Sequence, residues 1–172
     1  DAVERIQLIM NQNKISAEER TVIKPALAKG EKCNSTADAI RLDNGETVTG
    51  RSSKLMSACS SAVLNANKAL SSIGDDMLLL APVVLAPIIK LKKEVLCEDK
   101  VKLNLGDVLT ALSICAATNP VAEKAMDMLV GLRGCEAHAS CILPESDMRY
   151  VRKLGINMTC EPEFGTKDLY GF

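Results

Sequence analysis

The chain has 172 residues, of which 47% are hydrophobic and 25% are charged, and its formal net charge is −1. This length fits one domain, and this composition is that of a folded protein rather than a disordered one. With only two Tyr and two Phe and with scattered basic residues, the chain lacks the aromatic platforms and basic patches that nucleic-acid partners require. The longest apolar run, Met77 to Ile89, contains two prolines and is shorter than the ~20 residues that cross a bilayer, so we expect no membrane partner.

The seven cysteines form no Cys-x-x-Cys pair, which argues against a zinc knuckle or a thioredoxin-like site. Most fall on apolar faces of predicted elements. We therefore expect buried free thiols in a reducing cytoplasm, with no metal and no cofactor in this chain.

Residues 1–34 are predicted to be a helical attachment segment and linker. Apolar residues recur there at helical spacing: Val3, Ile6, Ile9 and Met10. Ser16 and Glu19 form a capping box for a second helix, which Pro25 should kink or end, and the polar stretch 29–38 is expected to be irregular. Because the chain opens without Met inside an amphipathic pattern, we expect it to be part of a longer protein.

The predicted α/β core, residues 35–162, begins with a β-hairpin that turns at Asn44-Gly45. A helix is predicted from Ser53 to Ser72, and the wholly apolar stretch Met77–Leu80 is expected to be a central strand. The next helix begins near Val83 and is expected to tolerate Pro87 close to its start.

Capping signals place the remaining elements of the core. Asn104 and Asp107 cap a helix that runs to Ala117, and Asn119-Pro120 begins another that ends at Gly134. A strand over 135–142, a helix stopped by Gly155 and a strand over 156–159 form a crossover, which is most simply parallel and right-handed. Residues 163–172 are predicted to be a C-terminal tail.

The element order predicts a three-layer α/β/α domain with a mixed sheet of about five strands, preceded by a short helical segment. This order resembles the cytidine-deaminase-like topology. The zinc motif of that family, His-x-Glu followed by Pro-Cys-x-x-Cys, is absent, since the corresponding stretches read Ser53-Lys54-Leu55-Met56 and Ala81-Pro82-Val83-Val84.

Four stretches of the sequence carry a closer resemblance: residues 47–56, 111–120, 134–138 and 152–160. Their amino-acid sequence resembles that of a bacterial family known as domain of unknown function eighteen-forty-six, and the similarity covers essentially the whole chain. The resemblance implies that this chain corresponds to the C-terminal part of longer members. It also implies a P-loop-like Gly-rich stretch in their N-terminal part, and it supplies no established catalytic residues.

Two stretches could bind a ligand. Arg51, Ser52, Ser53 and Lys54 join a strand to a predicted helix start, where free amides, hydroxyls and two cations would suit an anion. A plain helix cap explains the serines equally well. Asn119 could present its side chain to a cleft, although its role as a helix cap already accounts for it.

The only histidine, His138, is the one candidate for acid-base chemistry, together with Glu136. Strand alternation places Glu136, His138 and Ser140 on one face, at successive intervals of ~6.6 Å. This spacing is too wide for a direct Ser-His-Glu relay, so a structural or exposed histidine is the competing interpretation.

Two functions fit these observations. In one, the chain is the C-terminal domain of a larger P-loop-like enzyme and helps to bind an anionic, nucleotide-like ligand. In the other, it is a structural or oligomerisation domain without catalysis of its own, and its partners are the N-terminal remainder and further copies of itself.

Overall fold

The structure, a computed structural model, describes residues 2–165, with the backbone alone at Glu18. The described residues form seven α-helices and four β-strands: α1 (Ala2–Gln12), α2 (Ile23–Cys33), β1 (Ala37–Arg41), β2 (Thr47–Arg51), α3 (Ala58–Leu70), α4 (Pro82–Lys90), α5 (Leu105–Ala116), α6 (Pro120–Met128), β3 (Glu136–Ala139), α7 (Glu145–Leu154) and β4 (Asn157–Cys160). A π-helical turn follows α4, and 3₁₀ turns precede α2 and follow α6. The predicted tail lies largely outside the described residues.

The strands form one open mixed sheet in the order β2-β1-β3-β4. The predicted hairpin is confirmed: β1 and β2 are antiparallel, and Gly45 in their turn has a φ of 88° that favours glycine. The predicted crossover is also confirmed, since β3 and β4 are parallel neighbours with α7 between them in the chain. The domain is therefore α/β with a mixed sheet.

The prediction of about five strands is wrong, because Met77–Leu80 does not join the sheet. Leu79 and Leu80 are buried against α4 and α5, whereas Met77 and Leu78 are exposed. The sequence of a short apolar run does not distinguish a strand of a sheet from a segment that covers a helical core. Strand β3 is also shorter than the predicted 135–142.

Helix α3 begins later than predicted, because residues 53–57 are held in another conformation. The Ser53 hydroxyl accepts hydrogen bonds from the amides of Leu55 and Met56, and Met56 forms a bridge with Leu103. Ser57, not Ser53, caps α3 by accepting from the amide of Ser60. Local side-chain to backbone bonds thus replace the first predicted turn.

The N-terminal prediction needs two corrections. Ser16 and Glu19 enclose only a 3₁₀ turn, and Pro25 lies in the first turn of α2, where a missing amide hydrogen does no harm. The stretch 29–38 is not irregular throughout, since α2 runs to Cys33 and β1 begins at Ala37. The domain boundary at residue 34 stays a prediction.

Helices cover both faces of the sheet. Ala26 of α2 packs on Ala39 of β1, whereas Ile40 and Ala137 face the opposite side and pack with α3 and α7. At Gly50 a Cβ atom would overlap the backbone of α3, so this glycine permits direct strand-helix contact. A second apolar core, beside the first, joins α4, α5 and α6. Among residues 2–165, none of the helices combines the length and apolar character needed to span a bilayer.

Candidate functional site

A cleft of about 360 Å³ lies at the edge of the sheet where β3 ends and β1 begins. Because β4 is parallel to β3, both strands present their carboxyl ends here, which is the usual place for ligands in α/β sheets. We call it the Asp38 cleft. Its polar lining includes Asp38, Ser52, Ser57, Cys59, Lys102 and Asp147.

Asp147 lies where the beginnings of α3, α5 and α7 meet at this cleft. It lies in the first turn of α7 and is 1% exposed, and its Oδ1 accepts the first amide hydrogen of α5, from Leu105, at 2.6 Å. The hydroxyl of Ser57, which caps α3, also favours its carboxylate form. Burial raises the pKa of Asp147, and these two groups partly offset that rise by stabilising the carboxylate. Asp147 therefore has a clear structural task.

Asp38 has no such support. It is the second residue of β1, it is 2% exposed, and its Oδ2 has no hydrogen-bond partner among the described residues. Burial, with a smaller contribution from the charge of Asp147, raises the pKa of Asp38 to about 8. The side chain is therefore mostly a neutral carboxylic acid at pH 7, able to donate and to accept a hydrogen bond. A buried polar atom without a partner is uncommon and costs about 1–3 kcal/mol.

The two thiols at the cleft are poor nucleophiles. Burial raises the pKa of Cys59 well above its usual value, and it raises the pKa of Cys141 to about 11; the charge of Asp38 adds to both shifts. Since the thiolate is the reactive form, both side chains act as small apolar groups here.

The mouth of the cleft carries a positive charge. Lys102 is exposed, and its Nζ donates to the hydroxyl of Ser52 at 2.6 Å. Together with the N-terminal ends of α3 and α7, this ammonium group favours an anion at the mouth, whereas the interior holds two carboxyl groups.

The predicted anion-binding stretch is divided between two clefts. Ser52 lines the Asp38 cleft, whereas Arg51 and Ser53 line a neighbouring cleft of about 520 Å³ between β2, α3 and α4. Lys54 is exposed and lines neither. Asn119 caps α6, with its side-chain oxygen accepting from Val121 at 2.9 Å, and does not line the Asp38 cleft.

His138 lies on the opposite face of the sheet. It is 3% exposed, its Nδ1 lies 2.8 Å from Thr159 Oγ1, and its Nε2 lies 3.0 Å from Glu161 Oε1. Burial lowers its pKa, and Glu161 partly offsets that effect. Glu136 instead pairs with Arg20 at 2.6 Å. The structure therefore gives the two residues separate partners.

Residues 2–165 hold no group of three or more His, Cys, Asp or Glu side chains arranged to bind a metal ion. The carboxyl groups of the Asp38 cleft can form hydrogen bonds and exchange protons.

The sequence matches one family model over residues 18–170, described as "Domain of unknown function DUF1846, C-terminal". The chain belongs to this family. The resemblance drawn from the sequence is thereby confirmed for the C-terminal part of the family.

Curated relatives of this DUF1846 domain are longer proteins. A UPF0371 protein of Clostridioides difficile is 44% identical over 98% of the chain, and one of Clostridium botulinum is 41% identical over 99% of it. These matches cover 35% and 36% of the two relatives. The DUF1846 domain thus spans about a third of their length.

Sequence reasoning missed the central residues of the cleft in this DUF1846 domain. Asp38 ends the stretch 29–38 that the sequence predicts to be irregular, and Asp147 is not among the candidate site residues. The available signal was the strand alternation: Asp38 shares a face with Ile40, so an acid occupies an inward position. No sequence pattern indicates a role for Lys102 at the cleft, because its contact with Ser52 depends on tertiary structure.

Proposed function

We propose that this domain binds a small phosphorylated, hydroxyl-bearing molecule, nucleotide-like in its chemistry, in the Asp38 cleft. One observation carries the proposal: Oδ2 of Asp38 is buried in the wall of a cleft and lacks a partner. A ligand hydroxyl or carbonyl would supply that partner and would offset the cost of burying the carboxyl group.

The distribution of charge supports an orientation for the ligand. A phosphate group suits the mouth, where Lys102 and Ser52 meet near two helix beginnings. The neutral carboxylic acid of Asp38 suits the uncharged part, since an anion placed beside Asp147 would be repelled. The cleft volume lies at the small end of the range for ligand sites, which fits a phosphorylated pentose or a mononucleotide.

The deaminase-like topology stays a prediction, and it supports the same location. Deaminases of that topology carry their metal ligands at the beginnings of two helices, after the second and the third strand. Because Met77–Leu80 lies outside the sheet, the helix after the third strand is α7, and not the helix at 81–84 that the sequence suggested; α3 and α7 bring Cys59 and Asp147 to the cleft. Seven free cysteines support a cytoplasmic location. Membership of a larger P-loop-like enzyme rests on the family resemblance alone.

The proposal is tested by calorimetric titration of the chain with inorganic phosphate, ribose 5-phosphate and adenosine monophosphate. Asp38→Ala removes the carboxyl group that the ligand would contact, and Lys102→Ala removes the cation at the mouth. We expect at least tenfold weaker binding of ribose 5-phosphate by each variant, which corresponds to about 1.4 kcal/mol or more.

Matched controls are Asp127→Ala and Lys93→Ala, both at exposed positions outside the cleft. They should leave the affinity unchanged. If no phosphorylated compound binds, or if Asp38→Ala binds ribose 5-phosphate as tightly as the parent chain, the proposed function is wrong.

The alternative, a structural or oligomerisation domain, is favoured by one observation: α1 has no buried residue although it carries several apolar side chains. A dimer seen by analytical ultracentrifugation, together with no ligand binding, would favour it over the ligand-binding function.

A further inference from the structure

Helix α1 presents an apolar stripe that the described residues leave uncovered. Val3, Ile6 and Ile9 follow one another at helical spacing and are 52%, 58% and 56% exposed. An isolated helix of this length is marginal in water unless packing supports it. The stripe therefore indicates a partner surface.

Beside α1 lies a third cleft, of about 860 Å³, with two unlike walls. Ile6, Met10 and Ile15 form the apolar wall. The other wall is the face of the sheet that carries His138, where the polar groups largely satisfy one another. Its bonds include Arg20 to Glu136 and Arg41 to Thr21, both at 2.6 Å, and His138 to Glu161 at 3.0 Å. The part of the cleft that lacks packing or hydrogen-bond partners is thus the apolar wall. The buried Nε of Arg20 also has no partner among the described residues.

The comparisons indicate what covers this surface. The C-terminal family model begins its match at residue 18, so α1 lies before the region that the model matches. About two thirds of each curated relative lies outside the region that matches this chain. Helix α1 is therefore placed where the preceding region would join the C-terminal domain.

We propose that in full-length members of the family the stripe of Val3, Ile6 and Ile9, with the cleft beside it, is the docking surface for the preceding region of the same polypeptide. The interface is apolar at its centre and is bordered by Arg20, which pairs with Glu136, and by Arg41, which donates to the hydroxyl of Thr21. Residues 2–12 then pack between the preceding region and the C-terminal domain, and this contact orders α1.

Hydrogen exchange measured by mass spectrometry tests this without any substitution. Amides of residues 2–12 should exchange at least tenfold more slowly in a full-length protein that carries this chain as its C-terminal part than in the 172-residue chain alone. Amides of β1 and β3 should be protected in both, which verifies that the domain is folded.

A double variant, Ile6→Ser with Ile9→Ser, should abolish the extra protection in the full-length protein. The matched control is Val130→Ser, at a residue that is 80% exposed in the 3₁₀ turn after α6. Equal exchange of residues 2–12 in the two proteins would overturn the proposal. Protection that appears in the 172-residue chain as its concentration rises would also overturn it, because the occupant would then be a second copy.

Discussion

Asp38→Asn should change the pH dependence of stability in a way that reports directly on the buried carboxyl group. The amide has nearly the same shape as the acid but cannot ionise. In the parent chain, burial holds the pKa of Asp38 at about 8, whereas an unfolded Asp titrates near ~3.9. The folded state therefore keeps a proton that the unfolded state releases.

The sign and the size of the effect follow from linkage. Stability of the parent chain should fall relative to the variant as pH rises from about 4 to about 8. Over these roughly four pH units, at about 1.4 kcal/mol per unit, the difference reaches about 6 kcal/mol at most. The variant's unpaired amide adds a constant cost of about 1–3 kcal/mol, which does not affect the slope.

Urea denaturation of both proteins at pH 5, 6, 7 and 8 measures this slope, with Asp127→Asn as the exposed control. We expect the difference in unfolding free energy between the variant and the parent to grow steadily in favour of the variant. A difference that stays constant with pH would refute the claim that Asp38 is a buried neutral acid, and with it the role assigned to its side chain.

Three further substitutions test other parts of the structure. Gly50→Ala should destabilise the domain by about 1–3 kcal/mol, because the added methyl group would overlap the backbone of Ala62. Urea unfolding measures this loss, and an unchanged unfolding free energy would contradict the direct contact between α3 and β2. Asp147→Ala should cost about 1–3 kcal/mol by leaving the buried Leu105 amide without its acceptor, and hydrogen exchange at that amide should rise. Burial lowers the pKa of His138, so below about pH 6.5 the unfolded state takes up a proton that the folded state resists, and the stability of the parent chain should fall. His138→Gln should abolish this fall. A variant with the same pH profile as the parent chain would contradict the buried, neutral histidine.

Much of the fold could be predicted where local sequence decides the structure. The Asn44-Gly45 turn, the caps at Asn104 and Asn119 and the glycine stop at Gly155 each depend on residues close in the chain, and each appears in the structure. The stretch Met77–Leu80 could not be predicted, because an apolar run does not reveal which core it will join.

The candidate site was harder to predict than the fold. The residues at the Asp38 cleft come from separate parts of the chain, and Ser52 and Lys102 meet only in the folded domain. Local reasoning found Ser52 through its loop and found His138 through its strand. It could not show that His138 faces away from Ser52, because the face of the sheet that each helix covers is a tertiary property.

The most direct test of ligand binding in the Asp38 cleft is a crystal structure of the chain soaked with ribose 5-phosphate. We predict a ligand oxygen within hydrogen-bonding distance of Asp38 Oδ2, with the phosphate group contacting Lys102 and Ser52. A sugar phosphate bound only outside this cleft, or a cleft in which another side chain already satisfies Oδ2, would contradict the account.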